Sequence, residues 1–366
     1  MTIGRYILRH FILAVLQVQV VLGLVIGLIV FVENLRMSSQ FGHPPAEALK
    51  LTALQLPEFL SEVFPLVLLL GALVMILRLN RSSELVIFRA SGVSAIKVLF
   101  VPVLAALGLG VVAFSVFNPI VAATRIEADA QRDYIRNKSQ NVFSVFDGGV
   151  WLRQGTGDGQ SVIQARRVSP DAVVLFDVRI HDFDATGRMI TRREAASAWL
   201  NDMYWTLHNV RSWPINADAL TPLGEAVSDA ELRMPTDLTP EQILDSFAAP
   251  ENISFWQLPQ FIRQLETAGF SARRHQMFFQ TELSRPLFFA AMVLIGAGFS
   301  LRHMRFGNAG IMMLFAVLSG FTLYFFKDIS ESLGSAGTIP IILAAWSPAA
   351  IGIMFATGFL LHVEDG

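Results

Sequence analysis

The chain has 366 residues, of which 53% are hydrophobic and 16% charged, with a formal net charge of −2 and a mean hydropathy of +0.50. That is too apolar for a chain whose whole surface meets water, and the charge balance excludes a general attraction to nucleic acid, which needs clustered Lys and Arg. Cysteine is absent, so disulfides, thiolate zinc sites and cysteine nucleophiles are excluded.

Apolar residues gather at the two ends, while residues 120 to 275 have an ordinary soluble composition. A helix crosses the hydrocarbon core of a bilayer in about 20 apolar residues. The first such run is Phe11–Val32, preceded by Arg5, Arg9 and His10. It is too long for the apolar core of a signal peptide, and Glu33-Asn34-Leu35-Arg36 supplies no small-residue cleavage site, so it reads as an uncleaved span. Glu33 and Arg36 close it at i, i+3 spacing. The second span, about 57–79, opens with Glu58 and Glu62 near its outer end, where hydration accounts for them.

The loop that follows, Arg78 to Ser94, contains a short helix signal. Ser82 or Ser83 can cap it, Glu84 suits the positive end of the helix dipole, and Gly92 can stop it. Leu85, Phe88 and Val86 then form an apolar edge beside Glu84 and Arg89. Such a helix lies in the headgroup layer or plugs into a partner, and the residues themselves favour neither.

A third span at about 98–118 leads into the middle domain. From Asn141 onward, short runs of alternating or β-branched residues are separated by turn signals such as Asp147-Gly148-Gly149 and Asp184-Ala185-Thr186-Gly187. This spacing predicts an antiparallel sandwich or jelly roll. Ala196–Leu200 and Tyr204–Leu207, joined through Asn201-Asp202, predict a hairpin. Trp151, Trp199, Trp205 and Trp213 read as sheet core, or as an apolar groove for lipid chains. Short helices are predicted over 240–247 and Pro259–Gly269. Arg273 and Arg274 precede re-entry into the membrane, as a solvated face beside headgroups or as a contact to substrate phosphates.

Spans four to six fall at about 277–300, 308–327 and 339–361. Glu282 and Arg285, i, i+3 in span four, form a self-satisfying pair or a polar strip lining a substrate cavity. Loops rich in Lys and Arg stay on the cytoplasmic side. Arg5 and Arg9, then Arg78, Arg81, Arg89 and Lys97, then Arg302 and Arg305 share one side, which predicts cytoplasmic termini and a middle domain outside the cytoplasm. The fold class is therefore six transmembrane helices plus a periplasmic antiparallel β domain in an inner-membrane protein. The division is 1–118, 119–275 and 276–366. There is no P-loop, HExxH pair, GxSxG elbow or kinase signature, and the seven His residues are not at metal-ligand spacing. No catalytic residue, metal site or cofactor is expected.

Ser83-Glu84-Leu85-Val86-Ile87-Phe88-Arg89-Ala90-Ser91-Gly92 resembles the coupling-helix motif of the LptF/LptG permeases of the lipopolysaccharide export ABC transporter. Phe31-Val32-Glu33-Asn34-Leu35-Arg36 looks like the LptG branch in particular. Phe64-Pro65, Leu69-Leu70-Gly71-Ala72-Leu73, Arg285-Pro286-Leu287 and Gly337-Thr338-Ile339-Pro340 add matches in order along the whole chain. The resemblance implies a permease half that pairs with an LptF-like partner above an LptB-like ATPase dimer, which binds the ATP. It also implies a β-jellyroll that joins LptC-like and LptA-like periplasmic proteins in a bridge for lipopolysaccharide. Ser83, Glu84, Leu85, Phe88, Arg89 and Gly92 would then couple to the ATPase. Arg36, with Glu33 beside it, would stand where substrate phosphates are met. Val30 and Met37 occupy positions where the family can carry basic residues, and Arg273, Arg274, Glu282 and Arg285 complete the tentative substrate set. The rivals are an LptF-type subunit, a related lipid exporter, an enzyme acting on lipid headgroups and a structural anchor.

Overall fold

The computed structural model describes residues 2–90, 95–136, 143–146, 149–156, 159–169, 173–184, 186–201, 204–215, 226–236, 249–268, 270–301 and 309–365. The chain divides into a helical unit, Met1–Asn137 with Glu251–Trp256 and Arg273–Gly366, and a β unit, Lys138–Pro250 with Gln257–Ala272.

In the helical unit, α1 (Thr2–Gln40) and α2 (Pro45–Arg81) are followed by the short α3 (Glu84–Ala90). Then α4 (Ala95–Val112) runs through a π turn (Ala113–Phe117) into α5 (Asn118–Ile135). Among the described residues, six helices of this unit are long and apolar enough to cross a membrane, counting α4 to α5 as one. Each outruns the apolar stretch that announces it. The 39 residues of α1 span about 58 Å at about 1.5 Å per residue, beyond a hydrocarbon core of about 30 Å. Hydropathy marks only the lipid-bathed part of a helix, while backbone hydrogen bonding carries it on into the polar layers.

The centre of this unit is α7 (Arg273–Leu301), flanked by α8 (Ala309–Ser335) and α9 (Ile341–Asp365). Phe288, Phe289, Ala291, Met292 and Val293 of α7 are buried in one cluster with Val67, Leu68, Leu69, Ala72 and Met75 of α2. Close approach is made by missing side chains. A Cβ on Gly296 would stand 2.3 Å from the Leu69 carbonyl oxygen, and one on Gly110 of α4 would stand 2.3 Å from Pro286 Cα. Lipid supplies no hydrophobic drive between helices, so small residues and tight van der Waals contact decide which ones pack.

The β unit is one seven-stranded antiparallel sheet in the order β1 to β7: Phe143–Phe146, Gly149–Thr156, Gly159–Val168, Val174–Asp184, Met189–Asn201, Tyr204–Pro214 and Val227–Pro235. The antiparallel domain is present, and its neighbours in space are neighbours in sequence. That is an up-and-down meander, whereas a two-sheet jelly roll places non-consecutive strands side by side. The hairpin around residues 202–203 forms as β5 and β6, with Asn201 opposite Tyr204. One face is apolar, with Leu175, Ile180, Ala198, Leu207 and Trp205, and α6 (Leu258–Ala268) covers it through Phe261, Ile262 and Leu265.

Of the four tryptophans, only Trp205 is fully enclosed, and Trp199 is 48% exposed. Trp213 lies beneath the guanidinium groups of Arg192 and Arg211. The inward and outward alternation slips by one residue in three adjacent strands at one level. Leu175 and Val178 both face inward with two residues between them, as do Ala195 and Ala198, and Leu207 and Val210. Asp177 and Asn209, at φ +53° each, absorb the slip. The helix predicted over 240–247 lies outside the described residues, as does Gly269.

Candidate coupling site and polar cavity

The candidate coupling segment is set by how α2 ends. The Ser82 hydroxyl donates back to the carbonyls of Arg78 at 3.0 Å and Leu79 at 3.3 Å, so it serves the end of α2. Ser83 takes the left-handed conformation at φ +57°, and its N–H donates to the Asn80 carbonyl at 3.1 Å. This is one of the two bonds of a Schellman closure, made with a serine where glycine is usual. The chain turns there, and α3 starts at Glu84.

That turn fixes which face of α3 points inward, and it differs from the edge expected of the sequence. Leu85 is 4% exposed and joins the core cluster containing Ile7, Phe11, Leu79, Val98 and Leu99, and Phe88 packs against the same cluster. Among the side chains of α3 that are described, the outward apolar one is Ile87, 64% exposed. Leu85 and Phe88 therefore bind α3 to the membrane helices, while Ile87 is exposed and Glu84 half-buried beside the start of α1. Glu84 accepts a hydrogen bond from the Tyr6 hydroxyl at 2.8 Å. Arg89 is in α3, and Gly92 lies outside the described residues.

Glu33 and Arg36 do not close α1, which continues to Gln40. Both side chains are exposed, and among the described residues no ion pair joins them. Asn34, between them in sequence, is turned into the bundle, where it donates to Thr52 Oγ1 at 3.1 Å and Gln55 Oε1 at 2.8 Å. The two arginines that open α7 part company. Arg273 donates from Nε to the Gly334 carbonyl and from Nη2 to the Ile339 carbonyl, each at 2.7 Å, tying together the ends of the α8–α9 connection. Arg274 is exposed.

Glu282 and Arg285 do meet, at 2.5 Å, with the Glu282 side chain fully enclosed. They form part of the wall of a cavity of about 410 Å3 whose lining comes from α2, α5, α7, α8, α9 and Glu251 of the short turn Pro250–Asn252. Three further ion pairs stand in that wall, Glu58 with Arg125 at 2.8 Å, and Lys327 with Glu331 at 2.9 Å and with Asp328 at 3.5 Å. Arg285 also reaches Ser61 at 3.5 Å. Each of the three cations in the cavity wall thus has a carboxylate against it. Burying a lone charge inside a membrane protein costs several kcal/mol, and pairing offsets that cost. The sequence left Glu58 to hydration, but Arg125, from a helix 67 positions away, is what holds it. The Lys327–Glu331 pair had a local signal in its i, i+4 spacing. The Glu58–Arg125 pair had none, because nothing local in the chain couples the two positions. Among the described residues no group of three His, Cys, Asp or Glu is placed to hold a metal ion.

Outside the membrane helices the sheet carries its own charged face. The Glu194 carboxyl is held below the usual range, first by the hydrogen bond from Arg192. The His181 imidazole is also held below its ordinary value, first by burial and then by the Arg192 guanidinium.

Residues 5–362 match the family described as lipopolysaccharide export system permease LptF/LptG. The lipopolysaccharide export system permease protein LptG of Haemophilus influenzae is 27% identical over 370 residues, covering all of this chain and 99% of that protein. The protein of the same name from Escherichia coli K12 is 24% identical, with 98% of each chain covered.

Proposed function

The chain belongs to the LptF/LptG family of lipopolysaccharide export permeases, and from that membership we propose that it is the LptG-type membrane subunit of the transporter that draws lipopolysaccharide out of the inner membrane. It is a multi-pass inner-membrane protein. The observation that carries the mechanism is the attachment of α3: Leu85 is sunk among α1, α2 and α4 while Glu84 and Ile87 stay on the surface. A push on that surface is passed through Leu85 to the core that the membrane helices share.

The basic residues near this end, Arg5, Arg9, Arg78, Arg81 and Lys97, support a cytoplasmic position for it and for both termini. A soluble ATPase docks there, and its ATP-driven closure is passed through α3 to the bundle. The exposed apolar faces of α1 and α8 suit a second permease of LptF type, and between the two permeases the lipid chains are squeezed outward. Arg36 and Arg274 are the exposed cations of the substrate set, suited to phosphate groups at headgroup height. The β unit, periplasmic in this reading, hands the lipid to LptC-like and LptA-like β partners.

Replacing Glu84 by Lys reverses the charge offered to the ATPase. The variant should fold and pair with its partner permease while the ATPase no longer co-purifies. Recovery of a full complement of ATPase with Glu84→Lys sinks the coupling reading.

A further inference from the structure

We propose that the first two turns of α1 form one wall of the groove that receives the ATPase, and that Tyr6 is the residue that positions Glu84 within it. The inference rests on the coupling role of α3 and extends the docking surface to a segment far from it in sequence. Ile3 and Tyr6, i, i+3 on α1, face Glu84, Ile87 and Phe88, i, i+3 and i+4 on α3, across a groove of about 360 Å3.

Both walls are anchored from behind. Next to Tyr6, Ile7 is 2% exposed, Phe11 is fully enclosed, and both share a cluster with Leu85. The Tyr6 ring lies 4.1 Å from that of His10, whose Nδ1 is 3.0 Å from the Tyr6 carbonyl oxygen. The phenol therefore sits on a braced turn when it donates to Glu84 Oε2 at 2.8 Å.

The choice of a phenol matters for charge. Arg5, Arg9, Arg78, Arg81 and Lys97 crowd the helix ends in this part of the sequence, yet among the described residues no Lys or Arg is ion-paired to Glu84. A neutral donor fixes the direction of the carboxylate and leaves its negative charge to act on something else, and a bond to a charged acceptor is stronger than one between neutral groups. With Ile3, Ile87 and Phe88 around it, the groove is complementary to an apolar side chain adjacent to a cationic one. That pair of side chains, presented by the cytoplasmic ATPase, is its occupant.

The test titrates the purified ATPase subunit onto the reconstituted permease pair. Tyr6→Phe removes only the hydroxyl and should weaken ATPase binding about tenfold, the scale of one hydrogen bond to a charged group. Its thermal midpoint should stay unchanged. In a Glu84→Gln background the same substitution should add nothing, because the bond it removes no longer has a charged acceptor. Ile3→Gln, which changes the wall without touching the bond, should weaken binding by about threefold on the same scale. Full-strength binding by Tyr6→Phe, or losses that add independently in the double variant, overturns the proposal while Glu84→Lys still abolishes docking. Docking that survives Glu84→Lys instead removes the coupling reading itself.

Discussion

Helices α1 and α7 both cross the membrane, and they divide its work in the reverse of what hydropathy suggests. The most apolar stretch of α1 has a mean hydropathy of 2.7 and is 6% buried within the chain, whereas that of α7 has 1.5 and is 67% buried. In water the more apolar helix would be the inner one. In lipid the apolar helix has no reason to leave its solvent, and the interior goes to the helix with small residues and polar groups that need partners. Gly296 lets α7 touch the α2 backbone, and Glu282 with Arg285 gives it a charge pair that only an interior or an aqueous cavity can hold. Leu24 and Leu28 of α1, at 71% and 65% exposed, face outward to lipid or to a second permease.

The sharpest way to break this comparison is to unbalance the interior. Arg285→Met leaves Glu282 enclosed without its cation and should cost about 3–5 kcal/mol, read as a lowered unfolding midpoint in detergent. Adding Glu282→Leu should restore most of it. A single variant as stable as the parent means that the pair contributes nothing to the interior.

Next in size is a direct contrast of the two helices. Gly296→Ala forces a Cβ against the Leu69 carbonyl and should cost about 1–3 kcal/mol. Leu24→Ala should change the stability of the isolated chain by less than about 0.5 kcal/mol and show itself only as weaker recovery of the partner permease. Equal losses from the two would erase the distinction between an inner and an outer helix.

The smallest effect extends the comparison to the β unit, where water sets the rule. His181 has a lowered pKa in the folded sheet, so between that value and about 6.5 the unfolded chain binds the proton more readily. Stability therefore rises with pH through that window, and is lost as pH falls from about 6.5. His181→Gln should flatten this dependence in a pH series of thermal unfolding curves. A curve that keeps its slope assigns the titration to another group.

Much of the fold and part of the candidate site were legible without coordinates. The six apolar runs announce the spans because the length of the apolar run in a membrane helix is set by the bilayer rather than by its neighbours. The β5–β6 hairpin announces itself through its turn, and the Glu282–Arg285 pair through its i, i+3 spacing. Other readings failed for definite reasons. Trp199 was read with the other tryptophans as sheet core or groove and is instead half exposed, because the alternation slips a residue in β4, β5 and β6, and only the paired strands show where. Leu85 and Phe88 were read as an outward edge because the phase of α3 depends on a left-handed Ser83, and serine gives no warning of that conformation. Arg273 looked like a cation free for phosphate, and its guanidinium is occupied by two carbonyls, one at the end of α8 and one after it, more than sixty residues away.

Composition and periodicity by themselves determined the solvent of each segment, the number of crossings and the antiparallel character of the middle domain. These follow from local rules, in which a run of apolar residues or an alternation is sufficient cause. Only the tertiary structure decided which apolar helix is the centre, which carboxylate meets which cation, and which face of α3 is left exposed. Those depend on close approaches such as Gly296 to Leu69, Arg125 to Glu58 and Tyr6 to Glu84, between residues that no sequence spacing relates.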